Sequence, residues 1–291
     1  MNVSELKRQI VETIRVCETS LPADVKKALR KAYEKEERAL PKKILEILLE
    51  NIEVAEEEKR PICQDTGTLT FYVKRGGRSE EELWKNINDA VKEASEEIPL
   101  RPNAIDFASG RNSGNNTGRF IPWIVWEPGG ESLEITVVAK GGGSEAVSSL
   151  KVLPATAGRK EVFQTVLESI AQAGARPCPP IILGVGVAPS PEIAFDLAKR
   201  AVYLRPLGIR HENKVIAQME EELLKAVNML DIGVHGFGGI TALDVHIEYA
   251  SIHPSSMAVG VVASCWALRK ATLKVHENSA SITSHNISLT S

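Results

Sequence analysis

Three of the four cysteines in this 291-residue chain sit where the backbone is held stiff. Cys63 follows Pro61-Ile62 and precedes an amide and a carboxylate, Gln64 and Asp65, at the mouth of the strand-like run "TLTFYV" (68–73). Cys178 is set between Pro177 and Pro179-Pro180, directly before "IILGVGV", and Cys265 lies in the small-residue run "VVASCWA". Proline fixes its own φ and restrains the residue before it, so a side chain in such a segment is placed before anything binds. Three thiolates placed this way from distant parts of the chain can converge on one metal centre; three buried cysteines would give the same pattern. No C-x-x-C spacing occurs, which excludes a zinc ribbon and a ferredoxin-type run. Cys17 falls on a helical apolar stripe and is assigned to packing.

Other groups carry weaker signals. Arg101 stands before Pro102 in "PLRPNA", and its guanidinium offers the paired donors a carboxylate takes, although a solvated loop arginine reads the same way. His253 precedes Pro254 in "HPSSM", a place where a histidine is usually ordinary surface. The run "AKGGGSEA" (139–146), with Gly142 at its centre, can turn successive N–H groups toward an anion. "GVGVAP" (184–189) follows a strand and precedes a helix, but Pro189 takes the third glycine position of G-x-G-x-x-G. Dinucleotide binding is therefore set aside for a tight strand-to-helix turn.

The elements that must position these residues read as follows. Residues from about 4 to 52 are helical: Leu6, Ile10, Ile14 and Cys17 recur at helical spacing, with Ser4 or Asn2 as N-cap. Val25, Leu29 and Ala32 continue the pattern after Pro22, and Ile44, Leu45, Leu48, Leu49 and Ile52 form a third stripe. Beyond Arg60, strands alternate with helices, including a helix over about 80–97 and strands "IPWIVWE" and "LEITVVAK" joined by "PGGES". "AVGVVASCWALRKATLKV" is the last ordered piece, and the polar tail from Glu277 is expected to fray. The expected fold class is mixed α/β (α+β), one domain over 1–291: a helical N-terminal layer (1–60) packed on a body (61–276), then a tail (277–291).

Composition narrows the function. The chain is 43% hydrophobic and 25% charged with a net charge of −3, so it has no basic field for nucleic acid or an acidic membrane surface. The N-terminus lacks an apolar signal-peptide region, and no apolar run is long enough to span a bilayer. A soluble cytoplasmic protein is expected, with no nucleic-acid or membrane partner and no disulfides.

Taken together and in this order, "RPICQDTG", "RPCPPIILGVGV", "RPLGIRHENK" and "HPSSMAVGVVASCWALRKATLKVH" resemble the iron–sulfur hydro-lyases. More narrowly, they are similar to the alpha subunits of class I fumarate hydratase and L-tartrate dehydratase. The resemblance implies a [4Fe–4S] cluster on Cys63, Cys178 and Cys265, with one iron left open as a Lewis acid for a substrate hydroxyl. It implies Asp65 as the acid/base group, and Gln64, Arg101, Gly142 and His253 as contacts for a small dicarboxylate. Reversible hydration of fumarate to L-malate is the leading expectation and dehydration of tartrate to oxaloacetate the runner-up. A non-catalytic scaffold whose cysteines are only core is the further alternative. Family members also carry a second region, fused or as a beta subunit, that supplies more cations and a catalytic threonine. A beta-subunit partner, an alpha2–beta2 assembly and an inactive isolated chain are therefore expected.

Overall fold

The computed structural model of the chain describes residues 3–275 and 279–289. Three helices come first: α1 (Val3–Thr19), α2 (Ala23–Lys35) and α3 (Ala39–Glu58). They are followed by β1 (Thr68–Lys74), α4 (Glu80–Glu97), β2 (Trp123–Glu127) and β3 (Leu133–Lys140). A single helical turn α5 (Gly142–Glu145), β4 (Ser149–Pro154), α6 (Arg159–Ala173), β5 (Ile181–Ala188) and α7 (Pro191–Leu204) come next. The chain closes with α8 (Lys214–Asn228), β6 (Ala242–Tyr249), β7 (Ser256–Ser264), β8 (Arg269–Val275), β9 (Ala280–Ile282) and β10 (Ile287–Leu289). Helices and mixed sheets make this an α+β fold, as the sequence indicates. Among the described residues no helix is long and apolar enough to cross a membrane. Ser4 lies inside α1 rather than capping it, and Asn2, the other candidate cap, lies outside the described residues.

The chain divides into two compact units, one from residues up to 23, 50–142 and 269 onward, the other from 24–49 and 143–268. The first unit holds a six-stranded sheet in the order β10-β9-β8-β3-β1-β2. The strands joined by "PGGES" are not neighbours: β1 lies between them, parallel to β2 and antiparallel to β3. Alternate residues Leu69, Phe71 and Val73 of β1 enter a core with Leu6, Ile10, Ile14 and Cys17 of α1 and Leu83, Ile87 and Val91 of α4. Helix α4 begins where the sequence says it should, because the Ser79 side chain accepts the Glu82 N–H at 3.1 Å. Within the expected tail, residues 279–289 are described and form strands rather than an irregular end, while 277–278 and 290–291 lie outside the described residues. Buried Ala280 and Ile282, two residues apart, make β9 the second partner of β8, on the side away from β3.

The second unit holds a four-stranded sheet in the order β4-β7-β5-β6, with β5 antiparallel to β7 and parallel to β6. Gly184 and Gly186 lie within β5, not in a turn after it. A Cβ at Gly184 would overlap the Ala198 carbonyl oxygen and one at Gly186 that of Ala194. The glycines therefore let α7 lie directly on the strand backbone, which is the physical content of "GVGV" here. The last apolar run also divides: β7 belongs to this sheet and β8 to the other, with Cys265 in the break between them.

"RPLGIRH" is wrapped around two buried carboxylates. Glu220 of α8 accepts from Arg205 Nη1 at 2.5 Å, from the Ile247 N–H at 2.9 Å and from the His211 N–H at 3.0 Å. Asp244 of β6 accepts from Arg210 Nη2 and from the Gly208 N–H at 2.6 Å. His246, whose Nδ1 faces the Ala201 carbonyl oxygen, sets its Nε2 3.3 Å from Asp244 Oδ2. Burial alone would raise the Asp244 carboxyl; His246, Arg210 and the Gly208 N–H outweigh it and hold the group well below the usual carboxylate range. A depressed folded value means that the unfolded chain binds more protons in acid. The contribution of Asp244 is thus complete above about pH 4 and is lost as pH falls below that. Asp244→Asn should cost ~3 kcal/mol or more at neutral pH and flatten the acid limb of stability. Urea midpoints from about pH 7 to about pH 3 measure both; an unchanged acid limb would refute the assignment.

Candidate functional site

In the first unit the segment from Pro61 to Gly67 is an irregular loop tied at both ends. The Ile62 N–H donates to the Glu18 carbonyl at 2.9 Å, and the Ile62 carbonyl accepts from Asn51 Nδ2 at 3.0 Å. Ile62 is buried, which leaves Cys63 half-buried and Gln64 exposed immediately after it. Gly67 closes the loop with φ +76°, and a Cβ there would sit 2.5 Å from the Lys140 carbonyl. Only glycine meets both demands.

Asp65 is held on both carboxylate oxygens. Oδ1 accepts the Gly67 N–H at 3.1 Å and Oδ2 the Gly142 N–H at 2.8 Å. Gly142 therefore lies beside Asp65, with its N–H directed at that carboxylate. The Asp65 carbonyl in turn accepts from Arg269 Nη2 at 2.8 Å. Arg269 is 2% exposed, and its Nη1 donates to Oε2 of the fully buried Glu18 at 2.7 Å. Burial pushes the Glu18 carboxyl up to about 7 against the pull of Arg269.

Arg101 is brought to the same loop through its backbone. Its N–H donates to Thr66 Oγ1 at 3.1 Å, and Asn103 Nδ2 donates to the Gly67 carbonyl at 2.8 Å. The Arg101 side chain is exposed. Beyond it, Ile105, Phe107, Phe120 and Trp123 are all more than half exposed.

The second unit carries the other sequence candidates. Cys178 is exposed, in a left-handed conformation (φ +53°), with its carbonyl accepting the Trp266 N–H at 3.3 Å. Since Trp266 follows Cys265, the two cysteine-bearing segments are hydrogen-bonded to each other. Cys265 is half-buried, its Sγ 3.6 Å from the Ala267 carbonyl. His253 is exposed; its Nδ1 takes the Ser255 N–H at 3.1 Å, so a neutral ring carries its proton on Nε2.

Donor chemistry and access separate the four cysteines. Cys17 is completely buried in the first unit's core, and burial pushes its thiol up, away from the thiolate a metal takes. Cys63, Cys178 and Cys265 are half-buried or exposed, and three soft sulfurs suit an iron–sulfur cluster. Among the described residues no three His, Cys, Asp or Glu side chains are grouped to grip a single metal ion.

Sequence reasoning missed Thr66, Asn103, Glu18 and Arg269. Glu18 left a trace: Leu6, Ile10, Ile14 and Glu18 form one i, i+4 row, so a carboxylate stands where the core continues. Such a group needs a cation. Nothing local marks the other three, because their partners are far along the chain.

The chain is similar to known proteins over most of its length. The family model described as "Fumarate hydratase (Fumerase)" matches residues 7–274. A Methanocaldococcus jannaschii protein with the provisional name L(+)-tartrate dehydratase subunit alpha is 43% identical over 284 residues, 94% of this chain and 98% of its own. The L(+)-tartrate dehydratase subunit alpha of Escherichia coli strain UTI89 is 38% identical over 293 residues, 99% of this chain and 95% of its own.

Thr66→Val removes the acceptor that fixes the Arg101 backbone and leaves that N–H unpaired, at a local cost of ~1–3 kcal/mol. The Arg101 amide should then exchange with solvent on the order of tenfold faster. An unchanged exchange rate would show that Thr66 does not hold the loop.

Proposed function

The chain belongs to the fumarate hydratase (Fumerase) family, and from that premise we propose that it is the alpha subunit of an iron–sulfur hydro-lyase acting on a small dicarboxylate. The observation that carries the reading is Asp65, a carboxylate fixed on both oxygens by backbone N–H groups, two residues from Cys63 and beside the loop of Arg101. Cys63, Cys178 and Cys265 would hold a [4Fe–4S] cluster, which supplies an open iron as a Lewis acid for a substrate hydroxyl. Asp65 accepts or returns the proton at the carbon next to a substrate carboxylate, a role worth about 10²–10⁴-fold in rate. The Arg101 guanidinium pairs with one carboxylate, Gln64 hydrogen-bonds the substrate, and His253 donates from Nε2. Gly142 contributes by holding Asp65 in place.

The relatives' names support L-tartrate as the first reading of the substrate, with oxaloacetate as the proposed product. Fumarate hydration to L-malate is the second reading, supported by the family description. The word "alpha" in those names supports a beta-chain partner in an alpha2–beta2 assembly, and the exposed Ile105, Phe107, Phe120 and Trp123 supply apolar surface for it to cover. We place the enzyme in the cytoplasm, where cysteine thiols are kept reduced.

The test is anaerobic purification with and without a beta chain, followed by rates on tartrate and on malate side by side. The chain alone should be nearly inactive and the pair active. Cys63→Ser should lower iron and sulfide content, whereas Asp65→Asn should retain both and lose about 10²-fold or more in turnover. Full turnover by the isolated chain, or one phenotype for both variants, would defeat the reading.

A further inference from the structure

Glu18 grips the Cys63-Gln64-Asp65 segment from both sides. Its backbone carbonyl takes the Ile62 N–H at 2.9 Å, directly before Cys63. Its side chain holds Arg269 at 2.7 Å, and Arg269 donates to the Asp65 carbonyl at 2.8 Å. Both side chains are almost wholly buried, 0% and 2% exposed, so neither is placed to meet a substrate. The carboxylate of Asp65 has little room to adjust: a Cβ on Gly141 would already lie 2.9 Å from Oδ2. We propose that Glu18 and Arg269 are positioning residues for the hydro-lyase reaction, a buried ion pair that sets where the Asp65 carboxylate stands. The proposal rests on the reading of Asp65 as the acid/base group.

Two features make the pair more than a core ion pair. Arg269 uses its two terminal nitrogens on different targets, one on Glu18 and one on the Asp65 backbone, so the geometry of one fixes the other. The segment also lacks regular secondary structure, so no ladder of backbone hydrogen bonds holds it. A shift of about 1 Å in a reacting group can cost on the order of 10²-fold in rate.

The experiment separates positioning from folding. A buried ion pair can be replaced by apolar residues of similar volume with little loss of stability. The double variant Glu18→Leu/Arg269→Met, with its beta chain, should keep its melting temperature and its iron and sulfide content. Its kcat should fall on the order of 10²-fold with KM little changed. Glu18→Gln, which keeps shape and acceptor, is the second variant and should show a smaller fall of the same kind. In an Asp65→Asn background either change should add nothing further to the loss. A folded, cluster-loaded double variant with wild-type kcat overturns the inference, as does a full multiplicative loss on top of Asp65→Asn. If the wild-type pair itself converts neither tartrate nor malate, the hydro-lyase reading fails first and this inference falls with it.

Discussion

A carboxylate in an apolar core must be paired, and Glu18 finds its partner 251 residues away in Arg269. That constraint organises the first unit. Helix α1 supplies Leu6, Ile10 and Ile14 to the core and then, one turn later in the same row, a charge. The charge can be accommodated only if β8 starts at the right height to deliver a guanidinium, and β8 is paired to β3 with Arg269 opposite Ala139. Removing one partner would leave a buried charge, at a cost of ~3–5 kcal/mol. Hydrophobic replacement of both would satisfy the core equally well, so stability alone does not account for the pair. An apolar pair has no donor for the Asp65 carbonyl.

The same logic of burial and access sorts the cysteines. Cys17 shares the α1 stripe and disappears into the core, where its thiol is kept protonated. The other three lie in irregular segments whose backbones are fixed by specific hydrogen bonds: Ile62 to Glu18 beside Cys63, and Trp266 to Cys178 beside Cys265. Their side chains are left accessible. A rigid backbone with an accessible sulfur is what a ligand needs, since ordering it on binding would cost conformational entropy.

Local signals were legible in the sequence and long-range ones were not. The Ser79 cap and the helix it starts depend on residues three apart, so α4 was readable to its ends. The order of β2, β1 and β3 depends on pairing across the chain, which no local pattern reveals. "GVGV" read as a tight strand-to-helix turn, whereas its glycines lie within β5 and admit helix α7 to the strand backbone. The tail looked featureless because two apolar residues, Ala280 and Ile282, are all a three-residue strand presents. At the candidate site, proline-held context picked out Cys63, Cys178 and Arg101, and a small-residue run picked out Cys265. The hydrogen bonds from Thr66, Asn103 and Arg269 were invisible, since ordinary polar residues acquire meaning only from partners dozens of positions away.

The proposed dicarboxylate would bring two negative charges to a loop that already carries the Asp65 carboxyl group. Of the cations in that neighbourhood, Arg269 is committed to Glu18 and to the Asp65 backbone. Arg101 is exposed and makes no ion pair among the described residues. A substrate carboxylate about 4 Å from Asp65 would meet a like-charge repulsion on the order of 4 kcal/mol near a protein surface. The chain's net charge of −3 gives no background field to offset it. Oriented N–H groups do not help, because the nearest, on Gly67 and Gly142, already point at Asp65. A beta chain that brings further positive charge would offset that repulsion, and so would complete the substrate's surroundings rather than merely enlarge the assembly.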